Sequence, residues 1–135
     1  MRVLSLDYGS KKVGVATGDS DLKISFPRDV IVNEGMDLLL KKVKSLLSEY
    51  GCEMVVVGLP LNVGGDDNPI LNDVKRFVSL LTENGVKVEL FDETLSSFEA
   101  DALMKDALEK NGRNELKRDA FAALVILQRF FEKSF

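Results

Sequence analysis

The segment VLSLDYGSKKVGVATGD, Val3 to Asp19, decides how the chain begins. Two runs rich in Val and Leu, residues 2 to 8 and 12 to 18, flank the short connection Gly9-Ser10-Lys11-Lys12, and this pattern predicts a β-hairpin. Asp7 stands inside the first run. The turn that follows already has its own turn formers, so the acid is not needed there. A carboxylate on a strand that enters the protein calls for a separate explanation, because burial disfavours its charge unless a partner or a cation offsets the cost.

Outward from the hairpin, residues 24 to 32 read as a third strand, and Pro27 within it predicts an edge position. From Asn33 the period changes. Met36, Leu39, Leu40, Val43, Leu46, Leu47 and Tyr50 recur at helical spacing, and Gly51 closes the helix. The run CEMVVVGLP, residues 52 to 60, suits a strand buried on both faces. The loop LNVGGDDNP leads into a second helix with Asn68 as N-cap and Pro69 in its first turn. Val74, Phe77, Val78 and Leu81 face inward, and Gly85 ends it. VKVELFDE, residues 86 to 93, is a fifth strand. Ser96 and Glu99 have capping-box spacing for a helix ending near Gly112, and Asn114 caps a last helix to about Lys133. The order β-β-β-α-β-α-β-α-α predicts one α/β domain over residues 1–135: a five-stranded mixed sheet, three strands antiparallel and two reached by parallel crossovers, with helices on both faces.

Composition narrows the chemistry. The chain of 135 residues has no histidine, which removes Ser-His and Cys-His nucleophile systems and imidazole metal sites. A single cysteine, Cys52, builds neither an internal disulfide nor a metal cluster and reads as a packed thiol. No apolar run is long enough to span a membrane and no signal-peptide core is evident, so the expected location is cytoplasmic. The net charge of −4 argues against coating nucleic acid by charge alone. Its distribution is uneven: residues 1 to 104 carry 11 basic and 17 acidic side chains, whereas 105 to 135 carry 7 and 5, leaving a local basic edge.

Three acids occupy places that folding by itself does not favour. Asp7 ends the first strand and Glu93 the fifth, at the edge of an α/β sheet where sites assemble. Asp119 shares a helical stripe with Ala123, Ile126 and Phe130 on a helix that is apolar nearly all round from Ala120 to Leu127. Each has a plainer reading. Asp7 can bond the turn backbone, Glu93 can be a solvated strand end, and Asp119 can pair with Lys117 or Arg118 or favour the positive end of its helix. Taken together, three oxygen-donor side chains meeting in one cleft suit Mg²⁺ or Mn²⁺ rather than zinc, and such sites commonly serve phosphoryl chemistry.

Four blocks in order, LDYGSKKVGVA, VVVGLPLNVGG, FDETLSS and RDAFAALVILQRFF, resemble the YqgF (RuvX) family of bacterial RNase H-like nucleases, known as pre-16S rRNA nucleases and also described as Holliday junction resolvases. The likeness covers essentially the whole chain. It implies an RNase H-like fold and a carboxylate site for Mg²⁺ or Mn²⁺, with Asp7, Glu93 and Asp119 as catalytic residues and metal ligands. It further implies hydrolysis of precursor rRNA, with branched DNA as the alternative substrate. One departure stands out: Thr94 occupies a position where the family commonly has arginine, which removes a phosphate contact or carboxylate partner. Ser96 and Ser97 replace two threonines, a mild change.

Candidate nucleic-acid contacts are Gly9, Lys11 and Lys12 on the hairpin turn, Asn62 in the loop after the fourth strand, and Arg118 beside Asp119. The plainer readings are a solvated turn and a simple connector. Lys41, Lys42 and Lys44 read as a solvated helix face. No aromatic base-stacking platform is evident. The chain is expected to act as a monomer or homodimer, away from membranes. Two rival readings use the same residues. Actin-like kinases and ATPases open on a similar hairpin but need two such lobes, and an RNase H-like module can bind precursor RNA without cutting it.

Overall fold

The computed structural model describes residues 1–59, 69–92 and 117–134. Within them the chain forms strands β1 (Arg2–Asp7), β2 (Lys12–Asp19), β3 (Ile24–Val32), β4 (Met54–Leu59) and β5 (Val88–Asp92). The helices are α1 (Met36–Tyr50), α2 (Pro69–Glu83) and α3 (Lys117–Ser134). The five strands make one mixed sheet in the order β3-β2-β1-β4-β5. The hairpin holds the register Arg2↔Asp19 through Asp7↔Gly14, and β3 adds to it antiparallel. β4 lies parallel to β1, and β5 parallel to β4. Parallel neighbours need long crossovers, and α1 and α2 lie in them. β3 is the edge strand that Pro27 predicted. β1 ends at Asp7, one residue short of expectation, β2 runs one residue further to Asp19, and β3 spans Ile24–Val32 as expected. The predicted cap Asn68, the helix from Ser96 to Gly112 and the cap Asn114 lie outside the described residues. No described helix is long and apolar enough to cross a membrane.

Strand alternation sorts the core into two layers. Leu4, Leu6, Val13, Val15, Val55 and Val57 pack on one face against Leu39 and Val43 of α1 and Val74, Phe77 and Leu81 of α2. The apolar spacing read from the sequence places these residues, with one adjustment. Leu71 is buried on α2 whereas Val78 is only half-buried, because the stripe 71-74-77-81 points more directly at the sheet. α1 ends as expected at Gly51, whose left-handed backbone (φ 64°, ψ 38°) suits a residue without a side chain. Cys52 follows, half-buried against this core.

The other face carries α3. Val3, Met54, Val56 and Phe91 pack against Ile126, Leu127, Phe130 and Phe131, and Ala16 packs against Ala123 and Leu124. Residues 122 to 127 are all buried, so α3 is as sheltered as its composition suggested. Its close approach has a simple cause: β2 presents Gly14, Ala16 and Gly18 on this face. A Cβ added at Gly18 would stand 2.5 Å from the Ile24 carbonyl oxygen, 2.9 Å from Leu127 Cδ2 and 3.0 Å from Phe131 Cε2. The small residues of β2 therefore set the height of α3 above the sheet.

Candidate active site

Asp7 points toward α3. Leu4 and Leu6 belong to the layer beneath α1 and α2, so Val3, Ser5 and Asp7 occupy the opposite face by the period of two. Tyr8 anchors the strand end on the far side. Its ring is buried, with its centroid 5.7 Å from that of Phe77 and the planes tilted by 42°. Asp7 is half-buried.

The register of α3 against the hairpin locates the helix acid. The Ser5 hydroxyl, fully buried, donates a 2.6 Å hydrogen bond to the Ala123 carbonyl. Gly18, paired with Val3, lies against Leu127 and Phe131, whereas Ala16, paired with Ser5, lies against Ala123 and Leu124. The helix thus runs antiparallel to β1. Two strand residues advance about 6.6–6.8 Å and four helix residues about 6 Å. One further step along both elements brings the backbone of position 119 level with Asp7 and Gly14. The side chains of Lys117, Arg118 and Asp119 lie outside the described residues.

Parallel pairing brings the strand ends together at the same edge. Leu6 pairs with Val57, and Leu59 pairs with Asp92. Glu93 follows Asp92 in the chain, two positions after Phe91, whose ring packs beneath α3. Glu93 and Asn62 both lie outside the described residues. Among the described residues no group of three or more His, Cys, Asp or Glu side chains forms a metal cluster.

Asn33 is a positioning residue that sequence reading overlooked. Its side-chain amide donates to the Gly9 carbonyl at 2.9 Å, and its backbone N–H donates to the Lys11 carbonyl at 2.8 Å. These two bonds pin the β1–β2 turn to the end of β3. Gly9 is required there, since an added Cβ would run into the Lys12 carbonyl oxygen. Lys11 and Lys12 are exposed on this pinned turn. The signal was an asparagine just past a strand, a common turn former whose partners Gly9 and Lys11 lie 24 and 22 positions earlier in sequence.

The Ser5 bond can be tested directly. Ser5→Ala removes the donor while the Ala123 carbonyl stays within a regular helix, so the expected cost is about 1 kcal/mol in urea denaturation. Because that bond holds α3 level with β1, any activity that depends on the Asp7 edge should fall at temperatures where the variant is fully folded. Unchanged stability and activity would remove Ser5 from this role.

A family model described as RuvX, Holliday junction resolvase, matches residues 1–133. A protein of Anaeromyxobacter sp. (strain Fw109-5) named "Putative pre-16S rRNA nuclease" is 36% identical over 137 residues, covering 98% of this chain and 97% of its own. One of Pectobacterium atrosepticum with the same name is 38% identical over 139 residues, covering 96% and 94%. Among solved structures, T. thermophilus RuvC in complex with a Holliday junction substrate superposes with a TM-score of 0.64 at 16% identity, over 97% of this chain and 94% of that one. The Fowlpox virus resolvase with Holliday junction DNA reaches 0.63 at 16% identity, over 98% and 97%. The two structures share the RNase H-like fold seen here. A match running from the first strand through α3, carried by relatives of nearly equal length, means that this chain belongs to the RuvX family.

Proposed function

We propose that this chain is a divalent-metal-dependent nuclease that hydrolyses phosphodiester bonds of precursor 16S rRNA in the cytoplasm. Asp7, Glu93 and Asp119 form its carboxylate site. The observation that carries the reading is the register of α3, which brings position 119 level with Asp7 on the helix-covered face, at the edge where β5 hands the chain to Glu93. The names of the full-length relatives supply the substrate class.

The residues available fit a hard cation. The chain has no histidine, and Asp7 is a half-buried carboxylate, so an oxygen-only donor set favours Mg²⁺ or Mn²⁺. A cation held there supplies Lewis-acid polarisation and lowers the pKa of bound water. The protein's own contribution is placement. Tyr8 and Ser5 fix the strand that carries Asp7 and the helix whose backbone includes position 119, and Asn33 holds the turn that presents Lys11 and Lys12 to a phosphate backbone. Gly9, Asn62 and Arg118 complete the proposed substrate contacts.

The test compares two substrates under one condition. The purified protein with Mn²⁺ or Mg²⁺ is incubated with RNA spanning the 5′ end of precursor 16S rRNA and with a four-way DNA junction. RNA cleavage is expected. Cleavage of the junction alone would transfer the assignment to junction resolution, and binding without cleavage of either would mark a non-catalytic module.

A further inference from the structure

On the opposite face from Asp7, at the N-terminal end of β1, a cavity of about 270 Å³ opens between the end of α1 and the outer strands. Arg2, Thr17, Phe26, Arg28, Tyr50 and Cys52 are among its lining residues. We propose that this cavity is a nucleotide-binding site, separate from the carboxylate edge, in which Arg28 receives a phosphate and the exposed Phe26 ring receives a base.

The backbone is irregular where Arg28 enters. β2 and β3 pair Val15↔Asp29 and then Ala16↔Pro27, so Arg28 is the extra residue of a β-bulge. A bulge bends an edge strand and re-aims a side chain, and such features recur beside binding sites. Here the result is a guanidinium held on several sides. Arg28 Nε donates a 2.7 Å hydrogen bond to the Oγ1 of buried Thr17. Its guanidinium carbon lies 4.7 Å from the Tyr50 ring centroid and 5.2 Å from that of Phe26. With Nε committed to Thr17, the two terminal nitrogens at the rim of the guanidinium are the pair through which arginine grips phosphate bidentately. Among the described residues those terminal nitrogens have no hydrogen bond or ion pair.

The charges around the cavity favour an anion once their existing partners are counted. The Asp19 carboxylate is occupied, accepting from the Asp21 and Leu22 backbone N–H groups at 2.8 and 3.3 Å and facing the N-terminal ammonium at 3.8 Å. The C-terminal pole of α1 is met by Arg2, whose Nη1 donates to the Tyr50 carbonyl at 3.2 Å. Glu49 is the remaining acid and is exposed. Burial pushes the Cys52 thiol up, while Arg2 and Arg28 both pull it down, so both cations act within the same space. Phe26 is 47% exposed on the edge strand, a flat apolar surface at the mouth of the cavity. Base stacking on an aromatic ring next to a phosphate-gripping arginine is the common grammar of single-nucleotide recognition. The volume, just below the ~300–1,000 Å³ of ordinary ligand pockets, admits one nucleotide unit rather than a duplex.

Free mononucleotide and a nucleotide within a single strand present the same chemistry, and Cys52 distinguishes them from no ligand at all. It is the sole cysteine of the chain and lines the cavity, so N-ethylmaleimide reports on this site alone. AMP at about ten times its dissociation constant should slow modification of the full-length protein about tenfold, because only the free fraction reacts. A single-stranded oligoribonucleotide protecting where AMP does not identifies the strand as the source, and protection by both identifies a free-nucleotide site. Arg28→Gln should abolish protection, Arg28→Lys should weaken it, and Phe26→Ala should weaken it even if the Arg28 variants do not fold. Protection by inorganic phosphate equal to that by AMP, or no protection by any of the three, overturns the assignment.

Discussion

Asp7→Asn is expected to lose cleavage while keeping its fold. Loss of an outer-shell partner alone costs about 10–100-fold at a metal site, and a ligand should cost more. Stability should behave differently. In the proposed site three carboxylates would repel one another when no cation is present, so removing one charge should leave the metal-free melting temperature equal or higher. Added Mn²⁺ stabilises the parent through binding to the folded state only, and that gain grows with concentration over dissociation constant. The variant lacks one ligand and should gain less. Thermal melts of both proteins, with and without Mn²⁺, decide the matter. If Asp7 instead acts only as a backbone cap, the substitution should cost roughly 1 kcal/mol equally in both buffers, and the proposed site would be abandoned.

Phe77→Ala should be the most damaging change to the fold itself. Phe77 is fully buried in the layer that joins α2 to the sheet, and its ring meets that of Tyr8. Truncation removes the buried ring and leaves a cavity, at a cost of about 3–5 kcal/mol. Against a total stability of about 5–15 kcal/mol this is a large share, and the melting temperature should fall roughly 10–20 °C. The consequence reaches the proposed site through Tyr8, the residue next to Asp7. With its packing partner gone, Tyr8 no longer holds the end of β1, so cleavage should drop even at temperatures where the variant is folded. Phe77→Leu should recover most of both properties. A Phe77→Ala protein melting within about 2 °C of the parent would contradict this account of the core.

The contrast between Asp7 and Arg28 marks the boundary between sequence and structure. The place of Asp7 at the end of β1, half-buried on the face that α3 covers, was legible because the strand alternates and the turn after it has its own formers. The edge position of β3 was legible from Pro27 for the same kind of reason, as a missing N–H is a property of one residue. The periodicities of α1, α2 and α3 likewise follow from spacing along a single element, and they placed Leu39, Val43, Phe77 and Ile126 in the core. Asn33 and the Phe26, Arg28 and Tyr50 group were not legible. The bulge at Arg28 and the end of α1 bring Tyr50 to a guanidinium 22 positions earlier. The level of α3 belongs to the same category, since it depends on Ala16 and Gly18 of β2 and on the bond from Ser5 to Ala123, 118 positions away. The sequence by itself determined which residues face inward, because burial and backbone chemistry act residue by residue along one element. Only the tertiary structure decided which of them meet, because register between elements is set by packing height and by hydrogen bonds whose two ends lie far apart in the chain.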